Sequence, residues 1–335
     1  MKMSPRTLAL CTAALLGLSP LAAFSAAPTP SPVQTEVARL AMLVNGKVGV
    51  SPWRLDGQGA QVHLNADEPF PMASTFKVAV AGAVLAKVDA GQLALTTLLP
   101  VPKSSYVDSE IIADRFIHEG VSLSVHNLIE LMLTQSDNSA TDVLVAQAGG
   151  PAAVTAWLRA QGIEGQRLDR DTNHLLSDIF GLGEGPLTKE RVAELAKDAD
   201  VAKRGANADF ALNADTRDTS TPRAMSSLLT RLFNGKALSP ASTEVLVQVM
   251  QRCRTCSARL RGSLPPGTVV ADKSGTVAGT VNDVGVVTLP DGSRFAISVF
   301  VKQSAAPRPE RERVIAEIAR TVRDFYLLQP KAPAR

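Results

Sequence analysis

The chain has 335 residues, of which 45% are hydrophobic and 20% charged, and its net charge is +3. Its length exceeds one average domain but suits a single two-lobed α/β enzyme with a sizeable core. The composition is that of a globular protein, and so small a charge gives no reason to expect nucleic acid or an anionic membrane surface as a partner.

Residues 1–25 read as a secretory signal peptide: Lys2 and Arg6 precede an apolar run from Leu8 to Leu18, and a cleavage-like segment follows around Ala23-Phe24-Ser25. The run is too short to span a bilayer, and no later stretch reaches the roughly 18 to 20 apolar residues a spanning helix needs. A soluble, exported mature protein, periplasmic or secreted, is expected. Cys11 follows the bulky Leu10 inside that apolar run, which does not suit lipid attachment. Residues 26–34, with prolines at 28, 30 and 32, form an expected linker, and order is expected from Thr35.

Val48–Leu55 and Gln61–Leu64 read as two strands joined by the turn Asp56-Gly57-Gln58-Gly59. A long Ala/Val helix is predicted over Phe76–Ala90, stopping at Gly91. Val125–Thr134, Ala140–Ala148 and Ala152–Ala160 continue the helical period, with stops at Gly149 and Gly162. Cys253 and Cys256 can form a disulfide after export, and a structural pair is expected. A redox C-x-x-C would need a thioredoxin-like βαβ setting that is not seen around them. Strand period returns over Val269–Asp272, Val281–Leu289 and Arg294–Lys302, followed by a closing helix over Glu310–Leu328.

The expected fold is therefore α/β: a five-stranded antiparallel sheet flanked by helices, with an all-α lobe inserted between its strands. The boundaries are an α/β lobe at 35–73 and 265–329 and an α lobe at 74–264, together one catalytic domain over 35–329, with the site in the cleft between lobes.

Three short motifs occur in order: Ser74-x-x-Lys77, then Ser136-Asp137-Asn138, then Lys273-Ser274-Gly275. A serine hydroxyl needs a neighbouring base and a site for the oxyanion it creates. Ser74 at a helix start places Lys77 on the same face one turn later, where a neutral amine can act as base. The backbone N–H groups of Ser74 and Thr276 are the expected oxyanion donors. Ser136 would carry a proton to the leaving group, Asn138 would hold Lys77 and substrate, and Asp137 would brace its loop. Lys273, Ser274 and Gly275 end a strand where a cation and a hydroxyl can bind a carboxylate and a glycine admits close approach.

These residues resemble the penicillin-recognising serine enzymes, most closely class A β-lactamases. Pro71-Met72-Ala73-Ser74-Thr75-Phe76-Lys77, Arg167-Leu168-Asp169-Arg170, Asp218-Thr219-Ser220-Thr221-Pro222 and Ala271–Thr276 look like class A blocks in order, so the resemblance runs from about Thr35 to the C-terminus. It implies that Ser74 opens a β-lactam ring to an acyl-enzyme that water then hydrolyses, in a monomer needing no metal or organic cofactor.

One block departs from the pattern. The family carries its water-holding glutamate in R-x-D-R-x-E-x-x-L-N, whereas here Arg170 is followed by Asp171-Thr172-Asn173-His174-Leu175-Leu176. Asp209-Phe210-Ala211-Leu212-Asn213 offers D-x-x-L-N just before Asp218, as if Asp171–Ala208 had been inserted, so Asp209 and Asn213 are candidates to hold the water. Asp171 is the alternative anchor, and neither aspartate reaching the water is the third possibility. Within the insert, Thr188–Ala196 reads as a capped amphipathic helix, and His174 as solvent-exposed. Arg259, ahead of Leu264-Pro265, is a candidate for the substrate carboxylate, with a plain surface arginine as the alternative. The expected activity is β-lactam hydrolysis; a D-alanyl-D-alanine carboxypeptidase-like hydrolase or a slow-turnover penicillin binder or sensor are the alternatives that the altered loop leaves open.

Overall fold

The computed structural model describes residues 31–329 apart from 110, 119 and 207. The expected signal peptide and most of the linker lie outside the described residues. Order begins earlier than expected, because helix α1 (Pro32–Met42) already contains residues 32–34. Pro32 suits a first helical position, where its missing N–H costs nothing.

Strands β1 (Lys47–Arg54), β2 (Val270–Val277), β3 (Thr280–Thr288) and β4 (Arg294–Lys302) form one antiparallel sheet in the order β1-β4-β3-β2. The sheet thus has four strands and not five. Gln61–Leu64 makes only one bridge, in which Val50 and Leu64 exchange N–H···O bonds of 2.8 and 3.0 Å. Asp56–Gln61 is exposed, so this segment has no second face to bury and pairing stops there.

The helices that build the site are α2 (Lys77–Asp89), α3 (Asn138–Ala148), α4 (Thr172–Phe180) and α5 (Ala208–Ala214), and α6 (Arg308–Leu328) closes the chain. Strand β4 shows why the sheet strands read as nearly unbroken apolar runs. Phe295, Ile297 and Val299 face a core shared with Val33, Val37 and Leu40 of α1 and Val314 and Ile318 of α6. Ala296 and Phe300 face the opposite core with Phe70, Met225 and Leu229. Both faces are dry, and each fully buried Val, Ile or Phe contributes about 1.5–3 kcal/mol.

Helix α2 is buried on almost every side, from Lys77 to Leu85. A helix apolar all round belongs inside a lobe, and here it forms the pillar that carries Ser74 and Lys77. Gly82 lets the Trp157 ring approach, since a Cβ there would lie 2.4 Å from it.

Between Arg170 and Asp218 the chain leaves the body and returns through a clasp. Arg170 Nε donates to Asp218 Oδ2 at 2.6 Å, while the N–H groups of Asp169 and Arg170 reach Asp218 Oδ1 at 2.7 and 3.0 Å. The excursion carries four helices, α4, then Lys189–Leu195, Ala199–Ala206 and α5, with its longest non-helical stretch over 181–188. The helix predicted from Thr188 is present, with Thr188 capping Arg191 N–H. Leu182, Leu187 and Val201 pack on Val107 as a small core of its own.

Candidate active site

Ser74 lies in a tight turn, Ala73–Phe76, that leads directly into α2. The backbone before it is held by β3, whose Asn282 Nδ2 donates to the carbonyls of Pro71 and Met72 at 2.9 and 3.0 Å. It is held by β2 as well: a Cβ on Gly275 would stand 2.7 Å from the Met72 carbonyl. Gly275 is therefore required by the backbone of the Ser74 turn, a closer reason than the approach of a substrate.

One turn on, Lys77 is wholly buried, and its ammonium donates to the Ser136 carbonyl at 2.6 Å, Asn138 Oδ1 at 2.8 Å and Ser136 Oγ at 3.3 Å. Burial disfavours its charged form and brings its pKa down to about 7, against the pull of Asp137 and Asp142. Lys77 thus exchanges a proton near neutrality, as a base for a serine requires.

Ser136 has a left-handed backbone, φ 61°, at the end of a wide turn over Leu131–Gln135. That conformation is costly for a residue with a Cβ and turns the hydroxyl into the cleft. Lys273 Nζ reaches the same hydroxyl at 3.0 Å and the Ser274 carbonyl at 2.7 Å. With both lone pairs of Ser136 Oγ facing lysines, its own hydrogen is free to be donated outward. The Lys273 pKa lies well below the ordinary value through burial first and the Lys77 charge second.

Asp137 accepts from Ser109 Oγ, Ile112 N–H and Ala140 N–H, all at 2.8–2.9 Å, which is the bracing expected of it. Asn138 holds Lys77 with its oxygen and the Asp108 carbonyl with its nitrogen. Ser274 Oγ pairs with Thr255 Oγ1 at 2.6 Å. Thr255 sits inside the turn closed by the Cys253–Cys256 disulfide, and Arg254 N–H bonds the Thr134 carbonyl just ahead of Ser136. The two cysteines also lie beside Asp272, but sulfurs bonded to one another are not thiolate ligands.

Arg259 is neither a surface residue nor open to a ligand. It is buried, and its guanidinium donates to the carbonyls of Gly275 and Asn282 at 2.9 and 2.7 Å, to Thr276 Oγ1, and to Glu312. All five of its N–H groups are engaged this way. A Thr276 hydroxyl that accepts from Arg259 has its own hydrogen left to give to the cleft.

The space against Ser74, about 50 Å³, is lined by Phe76, Asn138, Thr276 and, from the far side, Thr172, Leu175 and Leu176 of α4. Asp171 caps α4 by accepting His174 N–H at 2.8 Å, with the exposed His174 ring on the same oxygen. Asp209 lies elsewhere, accepting the Gly279 N–H at the turn between β2 and β3, with Arg311 as its nearest opposite charge. Asn213 donates to the Asp209 carbonyl at 2.6 Å within α5. The structure therefore brings Ser74, Asn138 and Thr276 together around one space and Lys77, Ser136 and Lys273 around one hydroxyl, and sets Asp209 and Asn213 apart from both. Thr172 at the cleft was visible in the sequence only as the residue standing where an acid was expected.

A model of the beta-lactamase enzyme family matches residues 32–326. A β-lactamase from Chitinophaga pinensis DSM 2588 is 32% identical, and 88% of this chain covers 100% of that one with a TM-score of 0.72. The ancestral GNCA class A β-lactamase is 34% identical over 87% of this chain and 99% of its own, with a TM-score of 0.72. The extended-spectrum β-lactamase TLA-1 is 26% identical over 88% and 98%, with a TM-score of 0.70.

Proposed function

The chain belongs to the beta-lactamase enzyme family, and from that premise we propose that it hydrolyses β-lactam antibiotics through an acyl-enzyme formed on Ser74. The observation that carries the reading is the Ser136 hydroxyl shared between Lys77 and Lys273, tied to the space against Ser74 through Asn138. Neutral Lys77 takes the Ser74 proton as Ser74 Oγ bonds to the lactam carbonyl carbon. The oxyanion is held by the backbone N–H groups of Ser74 and Thr276. The C–N bond of the ring then breaks, and the proton passes from Lys77 through Ser136 to the departing nitrogen.

The substrate carboxylate is received by Lys273 and the hydroxyls of Ser274 and Thr276, with Arg259 positioning Thr276 from behind. An anion there raises the proton affinity of Lys273 and so restores its charge. The mature enzyme is a periplasmic or secreted monomer, and the Cys253–Cys256 disulfide suits an oxidising compartment. No helix among the described residues is long and apolar enough to cross a membrane.

The test is to mix the purified mature protein with a chromogenic cephalosporin and follow turnover and intact mass together. Sustained turnover with a transient adduct, both lost in Ser74→Ala, is expected. Turnover that survives Ser74→Ala removes the acyl-enzyme. A lasting adduct with no turnover identifies a penicillin binder, the reading favoured by the absence of a carboxylate from the residues lining the space.

A further inference from the structure

The residues lining the space against Ser74 offer a threonine where hydrolysis of an acyl-enzyme needs a base. Thr172 is buried, and its Oγ1 has no hydrogen-bond partner among the described residues, an unusual state for a buried hydroxyl. Directly behind it stands Asp142. Four residues after Asn138 on α3, Asp142 shares the helix face that Asn138 presents to Lys77. Its two oxygens accept the N–H groups of Thr172 at 2.7 Å and Asn173 at 2.9 Å.

Asp142 is therefore fixed against the backbone of a residue that lines the space, and the buried Thr172 hydroxyl lies beside the carboxyl, where it favours the ionised form. Each carboxyl oxygen keeps a further lone pair beyond its N–H bond. Burial first, and the Asp171 charge second, push Asp142 up to about 7, so near neutrality it gains and loses a proton readily. Asp142 also acts on Lys77, together with Asp137, and on His174, together with Asp171 and Glu184. A volume of about 50 Å³ admits water.

We propose that Thr172 and Asp142 form the proton relay for deacylation, with Thr172 Oγ1 holding the hydrolytic water and Asp142 acting through it. The water oxygen bonds to the acyl carbon while its proton moves to Thr172 Oγ1 and the Thr172 proton moves to the Asp142 carboxylate. The tetrahedral intermediate collapses by breaking its bond to Ser74 Oγ, and the proton returns from Asp142 through Thr172 to that oxygen. Water is consumed, the acid is released and the side chains are restored. Thr172 is thus a catalytic residue and Asp142 a positioning residue and proton store.

The inference rests on the Ser74 acyl-enzyme, and the experiment separates the two. Rapid-quench intact mass with a chromogenic cephalosporin is applied to the parent, Thr172→Val, Thr172→Ser, Asp142→Asn and the double variant Thr172→Val/Asp142→Asn. Valine keeps the shape and the N–H bond to Asp142 and removes only the hydroxyl. Acylation within about twofold of the parent, with deacylation slowed about 100-fold or more so that adduct accumulates, is expected of Thr172→Val. Serine should restore release, and the double variant should be no slower than Thr172→Val alone, because the two act in one relay.

A thermal melt identifies any unfolding of Asp142→Asn, in which case the Val and Ser variants decide. Release at the parent rate in Thr172→Val, or equally slow release in Thr172→Ser, overturns the relay and leaves the acyl-enzyme intact. A parent adduct that never clears also overturns it. No adduct in any variant removes the Ser74 reading itself.

Discussion

Lys77, Ser136 and Lys273 come from three distant parts of the chain, yet both lysines lie within 3.3 Å of one hydroxyl, locked by buried hydrogen bonds. The segment from Arg170 to Asp218 meets the space against Ser74 with Thr172 and two leucines, on a helix held by Asp142, by hydrophobic contacts and by a clasp at its root. The first region is over-determined: Asn282, Gly275, Asp137 and Asn138 each fix a neighbour that chemistry needs. The second is fixed at its root and at the start of α4. On the proposed mechanism, forming the acyl-enzyme rests on groups each held by several neighbours, while releasing it rests on the segment between Arg170 and Asp218.

The largest effect is expected at Lys77. Lys77→Ala should slow acylation by about 10²–10⁴-fold, the usual worth of a positioned base, read as the rate of adduct formation. In the parent, acylation should rise with pH through about 7, because the neutral amine accepts the serine proton and its fraction grows as pH passes that value. A profile flat across neutrality would show that Lys77 is not the base.

The clasp gives the next effect. Burial keeps the Asp218 pKa above the ordinary value in spite of Arg170, so the pair locates the loop more than it stabilises the fold outright. Removing one partner is another matter, since Arg170 would stay buried with only Asp178 and Asp215 at its side. Asp218→Ala should lower stability by about 3 kcal/mol in urea denaturation and slow deacylation more than acylation. Equal slowing of both steps would erase the division between the two regions.

The smallest effect is expected at the disulfide. Cys253→Ser/Cys256→Ser should loosen the turn that holds Thr255 against Ser274, raising KM by about 2- to 10-fold, the worth of one hydrogen bond, with kcat little changed. An unchanged KM would confine the disulfide to a structural role.

The residues proposed to acylate were legible in the sequence because that chemistry demands particular types at particular spacings, Ser74 to Lys77 being one helical turn and Ser136 to Asn138 one loop. Helix α2 and strands β2–β4 were legible because their apolar periods run unbroken into a core. The expected fifth strand reduces to one bridge at Leu64: Val62 and Leu64 do reach the core, but the turn before them is exposed and no ladder extends from the bridge. Asp209 drew attention through a local pattern, D-x-x-L-N, that α5 carries to Gly279. Arg259 read as a free cation because sequence does not show the four acceptor atoms that engage its five N–H groups. Asp142 left one signal, an acid four residues beyond Asn138 on a helix, but its meaning depends on Thr172 and Asn173, thirty residues away.

The Arg170–Asp218 clasp has a further consequence in the statistics of chain closure. It joins residues 48 apart. The entropy of closing a flexible loop grows only with the logarithm of its length, so halving or doubling this one changes the cost by about 0.6 kcal/mol. Length is then nearly a neutral variable for descent with modification: residues can accumulate beyond the clasp at almost constant stability, and selection on the loop acts through the few side chains that α4 returns to the cleft.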